Sequence, residues 1–336
     1  MRDVIEVSYT GDVLAHRRCP RAWAYEKQAG FHPYEQVQAM EGRLIHHAME
    51  WLTGQYSQHG RHATKAELEI QLQHHFRVLW ARGIRTSFES KQSTLDRILN
   101  NLYPKGMHPT VRVAIEGAKH TEYELRTVKA LVKKEFAGKS KLLLTGVLDL
   151  VVQHQHPLTY ERVWMWNDER TLDGKVVSVK HSAAVNDLEI WDYKGSRATT
   201  PYKPDYVRQL LTYAALYSER TRELPKRCVL FFINEAQREE QLLAIPLTKP
   251  VVDRAFKWTM EQVKYLRTTV LDFENNPCSV TGGDFEKRRL PVGQRTDGEL
   301  KKQCTACGFR FDCAEYVAYL GGSNHPDVRV RNIFKN

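Results

Sequence analysis

The chain has 336 residues, 42% of them hydrophobic, so it is long enough to bury a sizeable core and is not intrinsically disordered. The formal net charge of +10 favours polyanionic partners, nucleic acid above all. The sequence contains no apolar run of about 18 residues, and its first residues lack the apolar segment of a secretory signal, which predicts no membrane span and a cytoplasmic location.

The first third of the chain has the apolar spacing of helices. Ser8 or Thr10 can cap the first of them, and Gly30 can end it. Apolar residues recur at helical intervals in three segments and, interrupted near Pro104 and Pro109, in a fourth. The predicted helices cover residues 8–30, 35–56, 64–82 and parts of 92–118.

From about residue 125 the pattern is typical of strands alternating with helices. The predicted strands cover residues 125–136, 141–153, 176–180, 188–194, 227–234 and 241–247, and the predicted helices cover 204–220 and 250–271. This order predicts an α/β protein with a mixed central sheet, flanked by helices and joined to a helical N-terminal portion.

Three regions follow from these patterns, and we expect them to form one compact domain. A helical N-terminal region covers residues 1–124, and the sheet core covers 125–271, with an insertion at about 154–187. Residues 272–336 form a C-terminal tail that is punctuated by Gly and Pro and carries most of the cysteines.

Two carboxylates interrupt strands that are otherwise apolar. Asp149 lies within LLLTGVLDLVV and Asp192 within LEIWDYK, and an ionised carboxylate in such a strand is costly unless a cation compensates it. Asp192 and Lys194 lie two positions apart and therefore point to the same face. Two acids beside a lysine favour a site for Mg²⁺ or Mn²⁺. The alternative is a buried Asp192–Lys194 ion pair with an unrelated aspartate at position 149.

Two further patterns are weak when taken singly. EGRLIHHAMEWL places His46 four residues after Gly42 on a predicted helix, with His47 as an adjacent candidate. Gln209 and Tyr213 are four residues apart, so they share one helix face and could bond to a phosphate or a base.

Taken in chain order, the four motifs G-x-x-x-H, G-V-L-D, D-Y-K and Q-x-x-x-Y resemble those of the RecB-like nucleases of the PD-(D/E)XK superfamily, over residues 8–316. The resemblance implies a restriction-endonuclease-like fold and a metal-dependent deoxyribonuclease, acting as an exonuclease, an endonuclease or both. It implies metal ligation by His46, Asp149, Asp192 and the carbonyl of Tyr193, catalysis by Asp149, Asp192 and Lys194, and DNA contacts from Gln209 and Tyr213. The glycine register favours His46 over His47.

The chain departs from this family pattern in one place. Asp149 and Asp192 are separated by 42 residues, where the family usually has a shorter hairpin. We interpret the extra residues as an elaborated hairpin or β-flap that could block, extend or specialise the DNA path.

Three cysteines in the tail have the spacing of metal ligands. Cys304, Cys307 and Cys313 form a C-x₂-C-x₅-C pattern, and Cys19 or Cys278 is available as a fourth ligand. Zinc and a [4Fe–4S] cluster both accept four thiolates, so the spacing does not choose between them. Cys228, in an apolar strand, is expected to be a core residue.

The cysteines are also similar to those of the iron–sulfur branch of RecB-like nucleases, which includes the AddB nuclease domain and CRISPR-associated nucleases that trim prespacers. That branch has an upstream cysteine followed by proline and aromatic residues, a description that Cys19 fits. The resemblance implies a [4Fe–4S] cluster, with zinc as the alternative, that joins the two ends of the chain. Its ligands would be Cys19, Cys304, Cys307 and Cys313.

Basic residues mixed with aromatic ones suit single-stranded DNA, because cations follow the phosphates while rings stack on bases. In the stretch that follows Lys194, Arg197 and Lys203 are the predicted phosphate contacts. The predicted substrate is therefore single-stranded or end-containing DNA.

The main functional hypothesis is a DNA nuclease in repair or recombination, CRISPR adaptation, or phage or defence DNA processing. One alternative is a non-catalytic iron–sulfur DNA-binding subunit of a helicase or integrase complex. Another is a zinc-stabilised nucleic-acid-binding protein. The sequence has no G-x-x-x-x-G-K-[ST] loop, so a helicase partner would be another chain.

Overall fold

The computed structural model describes residues 4–28, 30, 37–82, 84, 91–131, 136, 139–196, 198–200, 203–235, 237–275, 307 and 313. Contacts divide the chain into two units. The smaller unit comprises Met1–Gln36, Ala130–Lys141 and Glu261–Asn336, and the larger comprises Val37–Lys129 and Leu142–Met260.

The smaller unit begins with a strand and a series of short helical segments. They are β1 (Val4–Ser8), a π-helical turn (Tyr9–Leu14), α1 (Ala15–Arg18) and α2 (Pro20–Lys27). The single helix predicted for residues 8–30 is therefore wrong. Its break lies at Cys19, whose backbone is extended with a φ of −158°. Pro20 accounts for this, because proline disfavours the helical conformation in the residue before it and fits the first turn of a new helix.

A small core in this unit includes one buried histidine. Trp23, Tyr25 and Leu266 pack together, and the half-buried Cys307 lies against them. His16 is 2% exposed, its Nε2 lies 2.8 Å from Thr269 Oγ1, and its ring meets the edge of the Trp23 ring. Burial lowers the pKa of His16 to about 4.

The helices of the larger unit mostly follow the predicted ranges. They are α3 (Val37–His59), α4 (Lys65–Ala81), α5 (Lys91–Leu102), α6 (Pro109–Glu116), α7 (Lys203–Thr221) and α8 (Arg238–Gln241), and α9 (Lys249–Asn275) contributes residues to both units. Thr64 and Glu67 form a capping box that fixes the start of α4. Among the described residues, no helix is long and apolar enough to span a bilayer.

The strands of the larger unit form a mixed sheet. They are β2 (Ala118–Ala130), β3 (Lys141–Gln153), β4 (Leu158–Asp168), β5 (Asp173–Ala183), β6 (Leu188–Lys194), β7 (Arg227–Phe232) and β8 (Leu242–Pro246). Their order is β3-β6-β7-β8-β4-β5, with β2 beside β3. β6 and β7 are parallel, whereas β3 and β6 are antiparallel. The predicted mixed α/β class is confirmed.

The 154–187 insertion is a hairpin that belongs to the sheet. β4 and β5 pair with each other, and β4 also pairs in parallel with β8, where Val163 faces Ala244. Of the two strands, the sequence predicted only the middle of β5. The insertion therefore extends the sheet along its edge instead of forming a separate flap.

Helices cover both faces of this sheet. On one face, residues of α3 to α6 share a core with Trp191, Tyr193 and Phe231. On the other, the Cys228 thiol of β7 donates a hydrogen bond to the carbonyl of Leu210 in α7, at 3.5 Å. Cys228 is fully buried, as expected of a core residue.

A buried ionic network fixes the beginning of β6. The Glu189 carboxylate is fully buried, and it lies 3.0 Å from Arg227 Nη1 and accepts a hydrogen bond from the Tyr160 hydroxyl at 2.5 Å. Arg227 also pairs with Asp187 at 2.9 Å. Because a buried charge without a partner is strongly destabilising, these contacts constrain the position of the strand that carries Asp192.

We expect His16 to make stability fall in acid. Its folded pKa of about 4 lies below the 6.5 of an exposed histidine, so the stabilisation is complete above pH 6.5 and is lost as the pH falls from 6.5 to 4. The full loss is about 3 kcal/mol in the free energy of unfolding. Urea unfolding at pH 7.5 and 4.5 should show a smaller pH dependence for His16→Gln than for wild type.

The exposed His59 provides the matched control, since His59→Gln should keep the wild-type pH dependence. Parallel pH profiles for wild type and His16→Gln would contradict this assignment.

Candidate functional site

The pairing of β3 with β6 brings the two aspartates together. In this antiparallel register Leu150 faces Trp191, so the next positions, Asp149 and Asp192, adjoin. Asp149 Oδ2 also accepts a hydrogen bond from the backbone N–H of Tyr193, at 2.8 Å. Asp149 is therefore not an unrelated strand residue but is tied directly to the D-Y-K segment.

Helix α3 adds a histidine to this pair. His46 Nδ1 lies 3.3 Å from Asp149 Oδ1. The neighbouring His47 is directed elsewhere, since its ring stacks on that of His75 with centroids 4.5 Å apart. The structure thus brings His46 to the aspartates, as the glycine register favoured.

Glu122 is a further member of the site that the sequence reasoning missed. Its Oε1 lies 3.7 Å from His46 Nδ1, and ligand atoms of Glu122, His46 and Asp149 all lie within 4.8 Å of one another. Glu122 has a φ of 45°, a left-handed backbone that is uncommon outside glycine. In sequence it is an ordinary acid in a polar strand, and it lies just before the strand predicted to begin at residue 125.

Lys194 completes the cluster on the side of Asp192. Its Nζ lies 2.5 Å from Asp192 Oδ2 and 4.5 Å from the ring centroid of Tyr206 on α7. The ion pair considered as a purely structural alternative does exist. It occurs in the same cluster as Asp149 and His46, however, so it does not explain the whole arrangement.

The charges of the cluster act on one another strongly. Burial raises the pKa of Asp192 to about 7, with Asp149 adding to the effect and Lys194 opposing it. Burial would also raise the pKa of Asp149, but His46 outweighs it and holds the value at about 2. The carboxylates of Asp149 and Glu122 overcome the effect of burial on His46 and raise its pKa to about 10. The site therefore strongly favours a positive charge.

The donor set and its spacing fit a divalent cation. Two ligand atoms of one ion with bonds of about 2.0–2.6 Å are at most about 4–5 Å apart, which matches the grouping of His46, Glu122 and Asp149. Carboxylate oxygens are hard donors, and an imidazole nitrogen beside them is a common ligand of divalent metal ions. The main chain of Tyr193 lies beside this group through its bond to Asp149.

A hydrogen-bonded network holds the chain just after Lys194. The carbonyl of Gly195 accepts a hydrogen bond from Asn234 Nδ2 at 2.6 Å, and the same amide donates to Glu41 Oε1 at 2.9 Å. Arg97 Nε donates to Glu41 as well, at 2.9 Å. These contacts attach the end of β6 to α3 and α5, and no sequence motif indicated them.

Gln209 and Tyr213 lie together on α7, largely buried. Gln209 Nε2 donates to the Tyr213 hydroxyl at 3.4 Å. The Tyr213 ring lies directly over Gly146, where an added Cβ would come within 2.5 Å of Tyr213 Cε1. The close approach of Tyr213 therefore requires a glycine at position 146. The G-V-L-D and Q-x-x-x-Y motifs pack directly against each other.

Arg197 and Lys203 are the two residues predicted to contact phosphate, and no interaction within the described part of the chain joins either of them to the cluster. Lys203 is the first residue of α7, and burial, followed by the charge of Arg162, lowers its pKa, while Glu240 opposes them. Arg197 lies outside the described residues.

Of the predicted cluster ligands, Cys19 and Cys307 have described contacts within the smaller unit. Cys19 caps α2, its Sγ accepting from the N–H of Ala22 at 3.5 Å. Cys307 packs against the core formed by Trp23, Ala24, Tyr25 and Leu266. Cys313 is half-buried, whereas Cys304 and the alternative ligand Cys278 lie outside the described residues.

Comparison with known proteins agrees with this geometry. The sequence model of the PD-(D/E)XK nuclease superfamily matches residues 13–166, a segment that contains His46, Glu122 and Asp149 and ends before Asp192. The match covers less than half of the chain; its similarity to metal-dependent nucleases and the acidic site both point to metal-dependent nuclease chemistry. No curated protein shows a significant match to the chain.

We expect Glu122 to contribute to metal binding. Removing its charge with Glu122→Gln should weaken Mn²⁺ binding by about tenfold or more, measured by titration calorimetry. Glu124→Gln is the matched control, because Glu124 lies on the same strand but pairs with Arg126, at 2.7 Å. Equal Mn²⁺ affinities for the two variants would exclude Glu122 as a ligand.

Proposed function

We propose that the protein is a RecB-like, metal-dependent deoxyribonuclease that hydrolyses phosphodiester bonds. The observation that carries the proposal is the convergence of His46, Asp149 and Asp192 with Lys194. Four motifs that are separate in sequence meet in this cluster or pack beside it, in the chain order of the superfamily.

Each residue of the cluster has a role in this proposal. The cation would be held by His46, Glu122, Asp149, Asp192 and the backbone carbonyl of Tyr193. A divalent cation supplies Lewis-acid polarisation of the phosphate and lowers the pKa of bound water. Lys194, held between Asp192 and the Tyr206 ring, would position the attacking water or stabilise charge that develops on the phosphate.

The substrate we propose is single-stranded or end-containing DNA. The surplus of ten positive charges supports a polyanionic substrate. The face of α7 that carries Gln209 and Tyr213 lies beside β3, only three residues along that strand from Asp149. Arg197 and Lys203 stay predictions as phosphate contacts, as do a helicase or integrase partner and the pathways of repair, CRISPR adaptation and phage or defence processing.

The test is cleavage of end-labelled single-stranded and duplex DNA with Mg²⁺ or Mn²⁺. Asp149→Asn, Asp192→Asn and Lys194→Ala should each lower the cleavage rate by about 10²-fold or more, because each removes charge stabilisation from the transition state. Lys180→Ala, at an exposed lysine on β5, should cleave like wild type.

Measuring how the protein binds the same DNA distinguishes the nuclease from the non-catalytic DNA-binding subunit. The nuclease proposal expects the three variants to retain DNA binding. If wild type binds DNA but cuts none of its forms with either metal, the non-catalytic DNA-binding subunit is the correct interpretation.

We further propose a [4Fe–4S] cluster in the smaller unit, bound by Cys19, Cys304, Cys307 and Cys313. It is supported by the position of Cys19 at the start of α2 and by the packing of Cys307 against Trp23 and Tyr25 of the same helix. Four thiolates suit this cluster, and the cluster needs no redox role to stabilise the unit.

Anaerobically purified protein should be brown and contain iron and sulfide. Cys19→Ser and Cys307→Ser should lose the visible absorbance, whereas Cys228→Ala, a buried thiol in the other unit, should keep it. Colourless protein with one equivalent of zinc would replace the iron–sulfur assignment by the zinc alternative.

A further inference from the structure

An aromatic and cationic stack lies next to the cation site on strand β2. The rings of His120 and Tyr123 are stacked, with centroids 4.6 Å apart and planes inclined by 21°. The guanidinium of Arg220 on α7 lies 4.7 Å from the centroid of the Tyr123 ring. His120 and Tyr123 are half-buried and Arg220 is exposed, so the group is accessible from solvent.

This stack begins one residue from the cluster. Tyr123 directly follows Glu122, and consecutive Cα atoms are about 3.8 Å apart. The left-handed backbone of Glu122 interrupts the regular alternation of the strand, so that residues 120 and 123 stack while residue 122 reaches His46. The irregular point of β2 therefore joins the cation site to the stack.

Helix α7 links the same stack to the motif residues. Gln209, Tyr213, Tyr217 and Arg220 recur at intervals of four, four and three, so they occupy one face of the helix. Tyr213 lies over Gly146, and Tyr217 meets the edge of Tyr123 with centroids 6.1 Å apart. The face that carries Q-x-x-x-Y thus continues to Tyr123 and Arg220.

The charges around the stack favour a nucleotide over an uncharged ligand. Arg220 donates from Nη1 to the neutral carbonyl of Glu124 at 2.5 Å and lies over a neutral ring, so these contacts leave its positive charge available. Lys119 is adjacent to His120 and pairs with Glu223 at 3.5 Å, in a pair exposed to solvent.

We propose that His120, Tyr123 and Arg220 form a stacking platform for an unpaired base next to the phosphate that is cleaved. The inference rests on the proposed nuclease function and deepens it, because it makes single-stranded DNA the preferred substrate. Tyr123 lies between Arg220 and His120, so the outer face of the His120 ring is the one open to a base. Such a face binds any base by stacking, whereas the bases of an intact duplex are already stacked on one another.

The test compares single strands, duplexes and single strands with one abasic position, in binding and in cleavage. Tyr123→Ala should weaken single-strand binding about tenfold, whereas Tyr123→Trp should restore it. Duplex binding should change much less. An abasic position beside the cleaved phosphate should weaken wild type as the mutation does, and it should cause no further loss in Tyr123→Ala.

Trp80→Ala is the matched control, because Phe76 and the 44%-exposed Trp80 form another stacked pair, on α4, with centroids 5.8 Å apart. This variant should bind and cleave like wild type. His120→Ala, at the outer ring, provides a second test should Tyr123→Ala unfold, and thermal unfolding identifies that case.

The outcomes separate the two proposals. Equal losses on single strands and duplexes, or an abasic effect that persists in Tyr123→Ala, would overturn the platform and leave the nuclease intact. Absence of cleavage by wild type would instead overturn the nuclease proposal. The platform would still be tested in that case, because it is also measured by single-strand binding.

Discussion

The contact between Asp149 and His46 is the interaction on which the site depends. Asp149 links three parts of the cluster, because it pairs with His46, accepts a hydrogen bond from the N–H of Tyr193 and adjoins Asp192. Several carboxylates in a largely buried place raise the free energy of the folded state. The positive charges of protonated His46 and of the Lys194 ammonium offset this cost. The carboxylates that raise the pKa of His46 to about 10 would attract other cations for the same electrostatic reason.

The fold places these groups by pairing strands that are far apart in sequence. The β3–β6 register aligns the aspartates, and the parallel neighbour β7 supports β6 from its other side. Gly146 allows α7 to approach β3 closely enough for Tyr213 to cover it. Asn234 then holds the carbonyl of Gly195, so the chain is fixed both before and after the lysine. The site is accordingly built on strands and helices, which suits the proposed role of holding a phosphate in one orientation.

Asp149, Asp192 and Lys194 could be found from sequence because charges stand out in apolar strands, and the chain order of four motifs added His46. Glu122 could not be found in this way, because most residues of its strand are polar. Its backbone φ of 45° cannot be predicted from the residue types around it. The prediction of one helix over residues 8–30 was wrong because apolar periodicity does not show where a helix is interrupted. Pro20 was the residue that indicated the interruption. The position of β4 beside β8 depends on a strand some 80 residues later, and no local pattern contains it.

The hydroxyl of Tyr160 has a consequence for how this architecture can vary. Tyr160 belongs to the hairpin inserted between the strands that carry Asp149 and Asp192, yet it donates to Glu189 in the interior of the sheet. Arg227 and Trp191 also contact the Glu189 carboxylate, so deleting the hairpin would remove one of several buried partners of this acid. A relative without the hairpin would lose the Tyr160 hydrogen bond but keep the Arg227 ion pair, so the hairpin adds to the stability of this buried network without being required to hold its charge.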